Sequence, residues 1–301
     1  MARATPTGRS AHPGSTSRTA AAGSRRRSAA TSTARSSPPR SAASTGATRP
    51  LRGFGIDIGG SGIKGAVVDL RTGRLLSERT RIPTPIPSTP AAVGAAVTTV
   101  VSEQNWRGKV GATFPAVIDD GVARSAANVD HDWIGTDVDA VFTAALDQQV
   151  SVLNDADAAG LAEVRFGAAK DVRGVVLVLT FGTGIGSGMF LDGELVPNTE
   201  LGHLQVDGKD AEQRAAASVR ERKDLSWKKW SKRVTEYLRN LEGLFTPALF
   251  VIGGGVSKQA DKWQEHLDVR TPIKAAQLHN DAGIVGAALH AREHGSGRQS
   301  R

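Results

Sequence analysis

The 301-residue chain contains no cysteine, which excludes disulfides, thiolate zinc sites and cysteine nucleophiles together. Nowhere does it run eighteen apolar residues, so nothing in it is expected to span a membrane. The first fifty residues lack still more: they have no Leu, Ile, Val or Phe and no Asp or Glu, but nine arginines among Ser, Thr, Ala and Pro. Such a segment cannot bury enough apolar surface to offset the entropy of ordering it, and residues 1–50 are expected to form a disordered tail. The whole chain carries 38 basic and 30 acidic residues, net +8. Without the tail's nine arginines, 29 basic groups face 30 acidic ones. The high isoelectric point therefore belongs to the tail, and no specific nucleic-acid partner is expected. An acid-free Arg/Ser leader has the composition of a transit peptide, yet it lacks bulky apolar residues for an amphipathic face and the apolar core of a secretory signal. A start codon placed too far upstream is the other explanation; because the next methionine is Met189, the true start would then use a non-Met codon.

Periodic structure is expected from Phe54 onward. "FGIDIGG" and "GAVVDL" read as two strands joined by a glycine turn, and "LLSERTRIP" as a third strand ended by prolines. Residues 89–105 read as a helix with Thr89 as cap and Pro90 in the first turn. A strand over 110–118, a helix in "DAVFTAALDQQ", a strand over 150–155 and a helix over 155–167 follow. Then the pattern restarts. Residues 174–196 are again strand, glycine turn, strand; 226–245 is a long amphipathic helix with Trp227, Trp230, Val234, Leu238 and Leu241 on one stripe; 248–257 is a strand ending in glycines; 281–293 is a last helix. The repeat of strand, glycine turn and strand implies two similarly built α/β lobes around a cleft.

"GSGIKG" (60–65) satisfies the GxGxxG pattern of dinucleotide folds. That pattern requires a helix to begin at the glycines, whereas "AVVDL" reads as a strand. A Walker A loop is ruled out because Lys64 is followed by Gly65. What remains is a β-hairpin whose turn offers backbone N–H groups to a phosphate, with glycine allowing positive φ and close approach. "LTFGTGIGSG" (179–188) and "IGGGVS" (252–257) repeat the chemistry. One such turn alone is as well explained by a tight bend; three at strand ends are not.

Together "DIGGSGIK", "LNDADAA", "LTFGTGIGSG", "ELGH" and "IGGGVS" resemble the ROK sugar kinases of the actin/hexokinase/heat-shock-chaperone ATPase superfamily. Within that family the chain is most similar to the polyphosphate glucokinases of actinobacteria. The resemblance covers everything but the tail. It implies a two-lobed, ribonuclease-H-like or actin-like ATPase fold with a central cleft. The N-terminal lobe would span 51–155, completed by the helix 281–293, and the C-terminal lobe 156–280. It also implies a cytoplasmic homodimer acting on glucose, with inorganic polyphosphate or ATP as donor and Mg²⁺ as cofactor.

The resemblance assigns the phosphate-loop role to Gly59, Gly60, Ser61, Gly62, Ile63 and Lys64, and to Gly182, Thr183 and Gly184, with ATP at Gly253, Gly254 and Gly255. Asp57 precedes the first turn, where a carboxylate suits an oxygen-loving ion such as Mg²⁺; a turn-forming acid is the plainer reading. Asp155 matches the family's catalytic Asp, which deprotonates the sugar 6-hydroxyl. Asp157 is its rival, and a helix cap is the bland alternative. Asn128, Asn154, Glu200 and His203 match sugar-binding positions, and Glu212 matches the final Glu of a zinc motif. In most members that motif is rich in cysteine; here it reads "HLQVDGKDAEQRAAAS" without one, so no zinc is expected. Ala116, in "FPAVID", stands where the family usually has Gly. Residues 208–234 hold nine basic and four acidic groups. Lys209, Arg214, Arg220, Lys223, Lys228 and Lys229, with Arg222 and Lys232, are expected to line a polyphosphate track, and a solvated helix face is the competing reading. The competing functions are an ATP-only or mannose-accepting kinase, a non-catalytic sugar-sensing regulator and an inert sugar-binding module.

Overall fold

Alternating apolar runs at both ends of the described chain build two sheets with the same strand order. The computed structural model describes residues 50–294 except 127 and 128; the tail and Asn128 lie outside them. In the first sheet β1 (Arg52–Gly59) pairs antiparallel with β2 (Gly62–Asp69), which pairs with β3 (Arg74–Leu75) and β4 (Thr80–Ile82). On its other side β1 runs parallel to β5 (Val110–Phe114), and β5 to β8 (Val150–Asn154). A small hairpin, β6 (Ile118–Asp119) with β7 (Val122–Ala123), follows β5. The second sheet repeats the plan. Strand β9 (Val175–Phe181) pairs antiparallel with β10 (Ile185–Leu191), β10 with β11 (Glu194–Val196), and β9 runs parallel to β14 (Leu249–Gly254), which is flanked by β15 (Ile273–Ala275). Between them lies the hairpin of β12 (Gln205–Val206) and β13 (Lys209–Asp210).

Helices cover both faces of each sheet. On the outer face of the first, α1 (Pro90–Glu103) and α2 (Val138–Leu146) bury Val93, Val97, Val100 and Phe142 against Ile56 and Phe114. Thr89 caps α1 by accepting from the Ala92 N–H, with Pro90 in the first turn as the sequence indicates. On the outer face of the second sheet, α6 (Trp227–Phe245) buries Trp230, Val234, Leu238 and Leu241 completely. The first stripe position, Trp227, packs against the same core but stays half-buried and also lines a cavity described below. Two short helices, α4 (Ala211–Ala215) and α5 (Ala217–Arg222), precede α6; they are too short to show a period in the sequence.

The middle layer is α3 (Asp155–Phe166) and α7 (Ala282–His294), and it packs through missing side chains. A Cβ on Gly55 would lie 1.8 Å from the Ile284 carbonyl oxygen, and one on Gly286 1.8 Å from that of Ala158. Only glycine lets α7 sit this close to β1 and to α3. Strand "LLSERTRIP" is broken into β3 and β4: residues 76–79 face only Ala66 and Val67 of β2, and Ser77 Oγ accepts from the Val67 N–H at 3.1 Å. Among the described residues no helix is long and apolar enough to cross a membrane.

Candidate active site

Parallel strands β1, β5 and β8 end side by side, and their carboxyl ends are where α/β folds place ligands. Asp57 leaves β1 there. Its Oδ1 accepts from Thr113 Oγ1 at 3.2 Å, and its Oδ2 from Lys64 Nζ at 3.2 Å. Thr113 in turn accepts from the Ile58 N–H at 3.1 Å. The carboxylate is thus fixed from both neighbouring strands, and its side chain stays about a fifth exposed. Nothing in the sequence pattern singles out Thr113, a fully buried residue in an apolar strand.

The turn after Asp57 is a tight hairpin in which Gly59 pairs with Gly62 and β2 follows at once. No helix begins at these glycines, so the dinucleotide reading of GxGxxG fails. The glycines work differently from expectation. None of Gly59, Gly60, Gly62, Gly182 and Gly184 has positive φ; of the turn glycines only Gly254 does, at 79°. What they supply is bare backbone: beyond Gly60, Gly182 and Gly255 nothing lies within 4 Å of where a Cβ would point. Ser61 is exposed, Ile63 is buried, and Arg81 donates to the Ser61 carbonyl at 3.2 Å.

Asn154, at the end of β8, caps α3. Its Oδ1 accepts from the N–H groups of Ala156 (2.8 Å) and Asp157 (3.2 Å), while Nδ2 donates to the Ala116 carbonyl at 3.1 Å. The cap is therefore Asn154, not Asp155. One amide hydrogen of Asn154 remains for a ligand. Asp155 opens the helix with a solvent-touching side chain in otherwise crowded surroundings. That crowding, then the neighbouring Asp57 charge and more weakly Glu200, push its carboxyl up to about 6. Asp157 is 2% exposed and accepts from the Asn198 N–H at 3.0 Å through Oδ2, while Oδ1 has no hydrogen-bond partner among the described residues. Burial pushes it up to about 7, helped by Glu200 and Asp155. Exposure separates the two acids: Asp155 is open to a substrate and Asp157 is not.

Asn198 ties the next segment in place. Its side chain accepts from the Ile118 N–H at 3.1 Å and donates to the Ile118 carbonyl at 2.7 Å, joining this segment to β6. Glu200 and His203 follow, both exposed. His203 Nδ1 lies 3.0 Å from Asp210 Oδ2. Glu212, in the first turn of α4, accepts from the Ile185 N–H at 3.3 Å. A Cβ on Gly184 would fall 2.3 Å from its Oε2, so the second glycine turn and Glu212 adjoin.

The second and third turns are neighbours, since Gly253 pairs with Thr180 and Gly254 with Phe181. Ser218 props the second turn by donating its N–H to the Gly182 carbonyl at 3.0 Å and its hydroxyl to that of Thr183 at 2.6 Å. Beside them is a cavity of about 320 Å³ lined by Gly182, Thr183, Arg220, Trp227, Gly255 and Gln259, among others. The Arg220 guanidinium sits 4.0 Å over the Trp227 ring. Within the basic run, Arg214 is bound at 2.6 Å to both Asp207 and Glu236 and is mostly covered. Lys209, Lys223, Lys228 and Lys229 are exposed and form no ion pair among the described residues.

Asp57 and Asp155 offer oxygen ligands close enough that one charge shifts the other's proton affinity. A hard divalent cation such as Mg²⁺ fits that donor set. His203, Asp210 and Glu212 form a second group, with one ligand atom of each within 4.8 Å of the others.

Comparison with known proteins identifies the family. The ROK family model matches residues 53–218. A polyphosphate glucokinase of Mycobacterium tuberculosis is 55% identical over 245 residues, covering 81% of this chain and 92% of that protein. The structure of an inorganic polyphosphate/ATP-glucomannokinase from Arthrobacter sp. strain KM superposes with a TM-score of 0.77 at 54% identity, over 80% of this chain and 98% of that one. A ROK family glucokinase from Streptomyces griseus, in complex with glucose and AMPPNP, has a TM-score of 0.70 at 25% identity, over 80% and 99%. With the duplicated sheets, the glycine turns and Asp155 all in place, this chain belongs to the ROK family.

Proposed function

We propose that this protein is a glucokinase that moves a phosphoryl group from inorganic polyphosphate, or from ATP, to the 6-hydroxyl of glucose. The observation that carries this reading is Asp155: a carboxyl raised to about 6, open to substrate, between Asp57 at the first glycine turn and Glu200 on the sugar segment. The high identity to proteins named for this activity supports it.

In this mechanism glucose rests on Glu200, His203 and Glu212, with Asn154 and Asn128 as further partners. Asp155 takes the proton of the 6-hydroxyl as its oxygen attacks the terminal phosphorus. The bond to the leaving phosphate breaks in line, releasing glucose 6-phosphate and either ADP or a polyphosphate shorter by one unit. Backbone in the turn at Gly60 and in the turn at Gly182 and Thr183 holds donor phosphates, and Lys64 adds positive charge. Mg²⁺ bound at Asp57 would neutralise charge on the transferring phosphate. The base of ATP fits the cavity under Gly255, beside Trp227. A polyphosphate chain needs no base pocket and would continue past Arg220 onto Lys223, Lys228 and Lys229. Lys209 and Arg214 lie on the same run, but the ion pairs of Arg214 make it a support rather than a contact. Closure of the lobes would exclude water, which competes with the sugar hydroxyl.

A second reading, mannose as an additional acceptor, is favoured by the glucomannokinase among the similar structures. We further place the protein in the cytoplasm as a homodimer, without zinc, on its resemblance to the family and its lack of cysteine. Purified protein given glucose or mannose with each donor in turn tests the proposal. Glucose 6-phosphate should form with polyphosphate and with ATP; no product from polyphosphate would remove the donor assignment.

A further inference from the structure

The hairpin β12–β13 directly follows His203, and the mechanism above makes no use of it. Its backbone pairs Gln205 with Asp210 and Val206 with Lys209, and the Ala211 N–H closes it onto the Leu204 carbonyl at 2.9 Å. Val206 is buried in the second lobe's core and anchors it. Asp210 then stands immediately before α4, where an aspartate ordinarily caps the helix by accepting from its own first-turn N–H groups. Here it makes no cap hydrogen bond. Its Oδ2 instead faces His203 Nδ1 at 3.0 Å, and its Oδ1 accepts from Gln205 Nε2.

We infer that Asp210 is the positioning residue for His203, an inference that rests on the reading of His203 as a sugar ligand. A carboxylate can only accept, so Nδ1 carries the hydrogen and donates it. That contact fixes the tautomer and the ring plane and leaves Nε2 on the far edge, free for a sugar hydroxyl. Gln205 holds the carboxylate in turn, so the hairpin acts as one rigid arm behind the ring. Three acidic groups face the imidazole: Asp210 from the hairpin, Glu212 from α4 and Glu200 from the preceding segment. All favour a protonated ring, and the hydrogen bond to Asp210 contributes most. Nε2 accordingly accepts from the sugar when the ring is neutral and donates to it when the ring is charged.

The test is glucose binding to the full chain without donor, followed by calorimetry across pH, with nitrogen-15 NMR of the His203 ring. Asp210→Ala should weaken glucose binding by about tenfold or more, the loss expected when a charged group's hydrogen bond is removed, and should release Nδ1–H into a tautomer mixture. Asp210→Asn keeps an acceptor for Nδ1–H. It should recover most of the affinity while shifting the pH dependence of binding to lower pH, since the negative charge is gone. An Asp210→Ala protein that folds, binds glucose like the parent and keeps a single tautomer overturns the inference. So does a parent whose glucose affinity falls on chelation and returns with zinc, because His203, Asp210 and Glu212 would then be holding a metal. If His203→Ala leaves affinity intact, the sugar-site reading itself falls; if only Asp210→Ala does, the reading stands and this inference alone fails.

Discussion

Asp155 and Asp157 are two residues apart on one helix and chemically identical, yet the protein gives them different work. Asp155 touches solvent and sits near other acids; its raised proton affinity suits the base that the proposed mechanism needs near neutral pH. Since the base must be ionised, kcat/KM should climb with pH and level off above about 6, and a flat profile from pH 5 to 8 would contradict this. Asp157 is raised further, to about 7, by burial. A carboxyl that binds its proton more tightly folded than unfolded loses stability as pH rises from the unfolded value near 3.8 through about 7. Asp157→Asn removes that loss. Its melting temperature should exceed the parent's at pH 8, with the gap closing toward pH 4, and its turnover should stay within about threefold, as expected for a residue with no substrate contact. The sequence made Asp155 visible through its motif but left the rivalry open, because exposure is what separates the two acids and exposure is a tertiary property. Thr113, Asn198 and Asp210 were invisible for the same reason: each acts through a partner that is distant in sequence or across a turn.

At the scale of elements, the glycine turns were legible as strand ends, while the reason for their glycines was not. Positive φ is absent from the first two; they are bare so that a ligand or a side chain can come close. Gly184→Ala would set a Cβ 2.3 Å from Glu212 Oε2. The flexible carboxylate can swing away, so the fold should survive with little loss of melting temperature, but the KM for glucose should rise by about tenfold, the worth of one hydrogen bond to a charged group. An unchanged KM would detach Glu212 from the sugar. Gly286→Ala is the contrasting case. Its Cβ would meet the Ala158 backbone at 1.8 Å, neither helix can yield, and destabilisation of about 3 kcal/mol or more is expected, measured by chemical denaturation. Spacing places Trp227 on the α6 core stripe, and it does pack against that core and Trp230, but its half-buried ring also walls the cavity. Trp227→Ala should therefore raise the KM for ATP several-fold more than that for polyphosphate, which has no base to stack. Equal effects on the two donors would argue against separate seats beyond the shared phosphate turns.

At the scale of the whole molecule, duplication is the organising fact. Each sheet passes from an antiparallel set, β3–β2–β1 with β4 in the first and β11–β10–β9 in the second, into two further strands that run parallel; each holds a glycine hairpin, and α3 and α7 pack between them. The repeat in the sequence was enough to expect two lobes, since strand, turn and strand recur with the same apolar pattern. Short elements escaped: α4, α5, β15 and the 3₁₀ run at Gly255–Lys262 are set by neighbouring packing rather than by their own period. In the proposed mechanism one base serves one sugar hydroxyl, whichever donor delivers the phosphoryl group. That claim is tested most directly by Asp155→Asn, with glucose affinity and turnover measured on the same preparation. Affinity should stay within a few-fold of the parent, while turnover with polyphosphate and with ATP should fall together by about 10²–10⁴-fold. Turnover surviving with either donor would contradict the account.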